Sequence, residues 1–219
     1  MSFKIATGSR TGEKHSENED HFSVRELLDL DANVLTVCDG IGSHPFGGSV
    51  AKWVANYIKT APLRLSGEHA VAMKKFLDAM QLLFTEEFED FPEFAQSGCT
   101  VSTALVTEGQ VHCFWVGDSP IYHVCSLEKK VIRLTEPHAH HSVLSRCFKG
   151  SKKAEFDYVQ AELRRGDLVV LVSDGVSLND GLLQDVLEGE LTQAFVDDIL
   201  ANSVQPVGSD DATMICYKH

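Results

Sequence analysis

The chain has 219 residues, 43% of them hydrophobic and 23% charged, with a formal net charge of -13. That length bounds one domain with a sizeable core, and the composition is ordinary for a soluble globular protein. The acidic balance argues against nucleic acid and anionic membranes as partners, while leaving room for carboxylates held together by divalent cations.

In chain order, Phe3 to Ser9 reads as a strand and Gly12 to Asp20 as a polar loop. His21 to Leu27 and Asn33 to Val37 follow as strands, the second running into Cys38-Asp39-Gly40-Ile41-Gly42-Ser43-His44. A carboxylate at a strand end, followed by glycines, puts charge at a surface cleft without disturbing the core, and glycine leaves the carbonyl of position 40 accessible to an ion. From Gly48 to Ala61 the apolar residues Val50, Val54, Tyr57, Ile58 and Ala61 recur at helical spacing, with Pro62 as the stop. A longer helix is predicted from Glu68 to Glu89, with Met73, Phe76, Leu77, Met80, Leu83, Phe84 and Phe88 as its core-facing stripe.

Thr100 to Val106 and Val111 to Val116 form a predicted hairpin around Glu108-Gly109. After Gly117-Asp118-Ser119-Pro120, a second hairpin is expected from Ile121 to Val124 and Val131 to Leu134, and His138 to Lys149 reads as a loop with a short helix. Asp167 to Ser173 is a strongly apolar strand that ends at Asp174-Gly175. Two helical patterns, Leu182 to Leu187 and Thr192 to Val204, precede a final strand, Thr213 to Tyr217, entered through Ser209-Asp210-Asp211. Hairpin-linked strands with helices in two separate blocks favour antiparallel sheets with helices packed outside, an α+β class.

The cysteines at 38, 99, 113, 125, 147 and 216 include no Cys-x-x-Cys pair and lie mostly in apolar runs, so buried free thiols are expected. The first residues lack the apolar block of a signal peptide, and no apolar run is long enough to cross a bilayer, which makes a cytoplasmic protein the expectation.

The chemistry lies in acids placed alike. Glu19-Asp20, Asp39, Asp118, Asp174 and Asp210-Asp211 each sit at a strand end beside small or turn residues. One such acid makes a turn. Five such sites suggest converging carboxylates, which repel one another unless cations are present. An all-oxygen donor set points to magnesium or manganese rather than zinc. Spacing alone reaches divalent-metal phosphoryl chemistry and stops there.

The ordered blocks Asn18-Glu19-Asp20, Cys38 to His44, Ser97-Gly98-Cys99-Thr100, Val116 to Tyr122, Leu134-Thr135, Gly166-Asp167 through Ser173-Asp174-Gly175, and Asp210-Asp211-Ala212-Thr213 resemble the PP2C-type metal-dependent protein phosphatases, the bacterial stand-alone branch most of all. The likeness runs from about residue 8 to 217. It implies a four-layer α-β-β-α sandwich, two antiparallel sheets flanked by helix pairs. It also implies hydrolysis of phosphoserine and phosphothreonine by a water bridging two Mn2+ or Mg2+ ions. On the matching positions Asp39 bridges both ions, the Gly40 carbonyl binds one, and Asp174 and Asp210 bind the other. Glu19 and Asp20 act beside them, partly through metal-bound waters, and Asp118 matches an aspartate that helps hold a third ion. The implied partners are a phosphorylated protein substrate and a cognate Ser/Thr kinase.

The chain departs from that pattern in several places. His15, with Lys14 beside it, stands where the family has the arginine that grips the substrate phosphate, and neither offers a bidentate fork. Pro120 replaces an arginine, and Ile41 a histidine found in animal relatives, with His44 the nearest alternative acid. Asp211 replaces asparagine, either tightening metal binding or only making a turn. The segment near 136–150 is shorter than the family's flap, and its His138, His140 and His141 form a cluster of low functional weight. Two readings stay open beside the phosphatase: a catalytically weak pseudophosphatase that binds or regulates a phosphoprotein, and a metal phosphoesterase for small molecules.

Overall fold

The computed structural model describes residues 4–141, 143–178, 181, 183, 190–204 and 208–219. Fourteen strands appear in chain order: β1 Ile5–Arg10, β2 Asp20–Leu27, β3 Ala32–Asp39, β4 Gly98–Cys99, β5 Val101–Thr107, β6 Gln110–Val116, β7 Ile121–Cys125, β8 Lys130–Arg133, β9 Ala139–His140, β10 Val143–Leu144, β11 Phe148–Lys149, β12 Asp157–Glu162, β13 Leu168–Val172 and β14 Ala212–Lys218. The helices whose full length is described are α1 Gly47–Thr60, α2 His69–Glu87, the short α3 Pro92–Gln96, and α4 Gln193–Ser203.

Two five-stranded antiparallel sheets carry the fold, one ordered β1-β14-β13-β7-β8 and the other β12-β6-β5-β3-β2. Side-chain alternation along each strand assigns its two faces. Leu35 and Val37 of β3, Val169 and Leu171 of β13, and Ile215 and Tyr217 of β14 meet in the core between the sheets. Their neighbours Val34 and Cys38 turn outward under α1 and α2. Leu168, Val170, Val172, Met214 and Cys216 turn outward under α4. Both faces of the central strands are therefore covered, which is why β13 reads as an unbroken apolar run rather than an alternating one. Each of its five side chains is buried, a stabilisation of about 2 kcal/mol apiece. The layers are helix, sheet, sheet, helix, as expected. The pattern from Leu182 to Leu187 lies outside the described residues.

Helix ends follow local chemistry. Thr192 caps α4 by accepting from the Phe195 amide. Pro92 opens α3 at a position where a missing N–H costs nothing. All six cysteines are free. Among the described residues, no helix is long and apolar enough to cross a membrane.

Two expectations need correction. The helix anticipated within His138 to Lys149 is absent among the described residues, replaced by the two-residue pairings of β9 with β10 and of β11 with β4. Here His138 donates its backbone N–H to Gly117, and Phe148 pairs with Cys99, so tertiary partners override any local helical tendency. Strand β12 was not anticipated. It is the edge strand beside β6, with Val159 and Ala161 facing the core and Tyr158, Gln160 and Glu162 outward. Half its residues face water, so its composition gives little strand signal.

Candidate functional site

The acids meet because the sheet registers bring their strands' ends together. Asp20, first residue of β2, pairs directly with Asp39, last residue of β3. One residue beyond β13, Ser173 accepts from the Thr213 amide through its hydroxyl and donates that hydroxyl to Asp20 Oδ2 at 2.6 Å. This ties the end of one sheet to the end of the other and puts Asp174 beside Asp39. Asp210 approaches from the loop before β14, and Asp118 from the turn after β6. A cleft of about 180 Å³ results, lined by His15, Asp39, Gly40, Asp118, Asp174 and Asp210, with Ile41, Gly42, Thr100 and Leu144 completing its wall.

Two glycines make this approach sterically feasible. A Cβ on Gly40 would lie 2.6 Å from backbone atoms of Gly47 and Gly48. Gly117 has φ of +111°, and a Cβ there would lie 2.6 Å from the Thr100 side chain. Hydroxyls then hold the loops. The Thr100 hydroxyl accepts from the Asp39 amide at 3.1 Å and lies 2.6 Å from the Ser119 hydroxyl, and the Thr100 amide donates to the Asp39 carbonyl. Ser119 and Thr100 thus hold turns in place.

The electrostatics are those of carboxylates under compression. Burial, then the charges of Asp20, Asp174 and Asp118, raise the Asp39 pKa well above the ordinary carboxylate range. Asp39 and Asp174 lie side by side and act on each other's ionisation. Burial pushes Asp20 up to about 7 despite its hydrogen bonds from Ser173 and Thr213. Asp174 keeps an exposed edge toward the cleft, yet desolvation by its surroundings and the charge of Asp210 raise its pKa. Asp118 is raised by burial and by Asp174. Glu19 is raised first by burial, and its Oε2 is buried without any hydrogen-bond partner.

Asp211 does something the sequence left open. It is 3% exposed. Its Oδ1 accepts from the Gly12 amide, and its Oδ2 accepts from the Glu19 amide at 2.7 Å and lies 2.9 Å from His15 Nδ1. One carboxylate therefore clamps the loop before β2 to the loop before β14, orienting both His15 and Glu19. The His15 pKa is raised by that hydrogen bond, against the opposing effect of burial. Lys14 reaches Asp210 Oδ2 at 2.6 Å and is raised by that bond. Ligand-type atoms of His15, Asp210 and Asp211 lie within 4.8 Å of one another.

Of the remaining residues singled out in the sequence, His44 is not brought into the cleft wall. Its backbone closes the turn from Ile41 to Gly47. The three histidines near 140 do not cluster. His138 is buried, accepts from the Gly117 amide at Nδ1 and contacts Asp157 and Arg146 through Nε2, while His140 and His141 are exposed. Sequence reasoning missed the Asp211 clamp and the contribution of Leu144 to the cleft. Three groups from residues 12–19 converge on Asp211, 192 to 199 positions further along the chain, and spacing carries no signal for that.

The acidic donor set fits divalent cations. It is all hard oxygen, it includes a buried carboxylate oxygen with no hydrogen-bond partner, and its mutual repulsion is what such cations relieve.

Residues 7–214 match the family model described as protein phosphatase 2C. A putative protein phosphatase of Mycoplasma pneumoniae is 25% identical over 145 residues, 61% of this chain and 54% of that protein, so the chain spans about half the length of the curated relative it matches. Among solved structures, the serine/threonine phosphatase Stp1 from Staphylococcus aureus superposes with a TM-score of 0.85 at 19% identity, covering 100% of this chain and 95% of its own. The catalytic domain of the serine/threonine protein phosphatase PstP, in complex with two manganese ions, superposes at 0.80 and 19% identity, covering 98% and 96%. These structures share the fold.

Proposed function

The chain belongs to the protein phosphatase 2C family, and on that premise we propose that it is a serine/threonine protein phosphatase that hydrolyses phosphoserine and phosphothreonine at the acidic cleft. The observation that carries this reading is the meeting of Asp39, Asp118, Asp174 and Asp210, from four separate segments, around one cavity in which their charges oppose one another. Such a cluster has no role in stability, since its members repel one another.

In this reading Asp39, the Gly40 carbonyl, Asp174 and Asp210 would hold two Mn2+ or Mg2+ ions, Glu19 and Asp20 would act beside them, and Asp118 would help to hold a third. Bound there, the ions supply an activated water and neutralise charge on the phosphoryl group. The chain's own residues supply position. Thr100 and Ser119 fix the backbone of Asp39, Ser173 fixes the Asp20 carboxylate, and Asp211 aims His15 and Glu19. His15, favoured in its protonated form by Asp211, meets the substrate phosphate together with Lys14. Both are point donors and less directional than an arginine fork. Residues 1–219 act as one phosphatase domain with a reduced flap near 136–150, in the cytoplasm, on a phosphoprotein produced by a partner kinase.

The test is hydrolysis of an aryl phosphate and of phosphothreonine peptides by purified protein across a series of divalent cations. The expected result is turnover with Mn2+ or Mg2+ that vanishes in Asp39→Asn. A well-folded wild type inactive with every cation and peptide would overturn the reading.

One observation favours a second reading, a pseudophosphatase that binds or regulates a phosphoprotein. Lys14 and His15 already set positive charge against Asp210 and Asp211 from within the chain. Calorimetric titration with Mn2+ separates the two, because the pseudophosphatase binds none.

A further inference from the structure

A second cavity, of about 130 Å³, adjoins the acidic cleft, and Leu144 lines both. Its chemistry is the reverse. Arg146, Lys149, Lys152 and Lys153 line it, with Glu155 the one acid. These are four of the chain's 19 Lys and Arg residues, gathered in eight positions of a protein whose net charge is -13.

The cations are not equivalent. The Arg146 guanidinium is held by Asp157 at 2.7 Å and by the Glu155 carbonyl, so its charge is largely answered, although its Nε is buried without a partner. Lys153 has only a long approach to Asp78, at 3.7 Å. Among the described residues, Lys149 and Lys152 form no ion pair with any acid. Their backbones are bridged to each other, which keeps two unanswered ammonium groups on one short turn. Both residues line the cavity. Burial raises the pKa of the Cys147 thiol there, and Lys149 and Lys152 oppose that rise.

This turn is built rather than loose. Lys149 pairs with Gly98 in the β11–β4 ladder, and the Ser151 amide donates to Ala95. The buried Gln81 of α2 holds both arms, donating to the Lys149 carbonyl and accepting from the Ala154 amide. The same β4 residue that pairs with Phe148, Cys99, is bridged to Gly40 of the acidic cleft. A rigid site with surplus positive charge is stabilised by an anion.

We propose that this basic cavity is a specificity subsite that binds an acidic side chain of the substrate protein, so that the enzyme prefers phosphoresidues flanked by carboxylates or by a second phosphate. The proposal rests on the phosphatase reading for what occupies the neighbouring cleft. An extended substrate segment whose phosphoresidue enters the acidic cleft passes Leu144 and presents a neighbouring side chain to Lys149 and Lys152. Because the protein as a whole repels acidic peptides, a preference for them must arise from a local site.

The experiment compares phosphothreonine peptides carrying Glu, Ala or Lys at successive positions on either side, and one carrying a second phosphothreonine. The proteins are wild type with Mn2+, Lys149→Ala/Lys152→Ala and Lys149→Glu/Lys152→Glu. Peptide binding is read by fluorescence anisotropy with uncleavable phosphonate analogues, alongside kcat/KM. At one or two positions, Glu peptides should bind the wild type about tenfold more tightly than Lys peptides, two screened ion pairs being of that order. The preference should disappear in the alanine variant and invert in the glutamate variant, through KM, while aryl phosphate hydrolysis stays unchanged. A stronger preference for the second phosphate than for Glu assigns the subsite to phosphate, and the converse to carboxylate. Equal binding of all peptides by the wild type, or a preference that survives in both variants, overturns the proposal. A charge preference in binding with no hydrolysis of any peptide would sink the phosphatase reading and leave the subsite standing.

Discussion

The two ends of β13 each carry an aspartate, and the comparison between them separates structure from function. Asp167 precedes the strand and Asp174 follows it, about 23 Å apart at the rise of an extended chain. Asp167 is 2% exposed. It accepts from the Ser126 amide and hydroxyl and from the Arg164 amide, and lies 2.9 Å from His123 Nε2. Burial disfavours its charge, but these donors outweigh burial and hold its pKa below the usual value. At the other end Asp174 faces Asp39 and Asp210, and both Asp174 and Asp39 are raised. A buried carboxylate surrounded by donors is a structural clamp. One surrounded by other carboxylates is a site awaiting positive charge. Residue type, strand-end position and an adjacent glycine are common to both ends, so neighbours alone make the difference.

The largest expected effect tests the functional end. Asp39→Asn should lower metal-dependent hydrolysis by roughly a thousandfold or more, since it removes a carboxylate proposed to hold the ions. Circular dichroism should be unchanged. In EDTA the unfolding midpoint should equal or exceed that of wild type, because one member of a repelling set is gone, and Mn2+ should raise the midpoint of wild type only. A midpoint well below wild type in EDTA would show that Asp39 is a structural clamp as well.

Next, Asp167→Ala should destabilise the protein by about 2 kcal/mol, read by urea unfolding, because it leaves part-buried amides and the buried His123 without their acceptor. Activity per folded molecule should stay at the wild-type value. Loss of activity in fully folded Asp167→Ala would erase the distinction between the two ends.

Asp211→Ala should fall between these classes. Removing the clamp on Gly12, His15 and Glu19 should weaken Mn2+ binding by about tenfold, measured by calorimetry, and raise KM for phosphopeptides through the released His15. Asp211→Asn should recover part of both. If alanine changed stability but neither metal affinity nor KM, Asp211 would belong with Asp167.

The smallest effect concerns pH. Asp167 has a depressed folded-state pKa, so its contribution to stability is fully present above the unfolded value of about 4. That contribution is lost as pH falls through the folded value. Asp167→Asn has no such group, so its deficit against wild type should be constant from pH 8 to 5 and narrow below 4. A deficit independent of pH down to 2 would show that ionisation of Asp167 does not matter.

Much of the architecture was legible because it follows from periodicity. Of the stripe Met73, Phe76, Leu77, Met80, Leu83, Phe84 and Phe88, five form the buried face of α2, whereas Leu83 faces outward and Phe88 is a partly buried residue just past the helix; the run from Leu168 to Val172 is a strand covered on both sides. The acids were legible as candidates because Asp39, Asp118, Asp174 and Asp210 each stand where an apolar segment stops beside small residues. Edge strand β12 and the pairings within residues 139–149 were not, because exposed or two-residue elements depend on partners far along the chain.

By itself, then, the amino-acid order determined which residues face a core and which acids stand at the ends of strands, because alternation and turn chemistry are local. Only the tertiary structure decided that Asp20 lies opposite Asp39, that Asp211 holds His15 rather than lying open in the cleft, and that Lys149 and Lys152 share a cavity beside the acidic cluster. Sheet register and loop clamping set those relations. Both act between positions tens to hundreds of residues apart, where sequence spacing carries no geometric information.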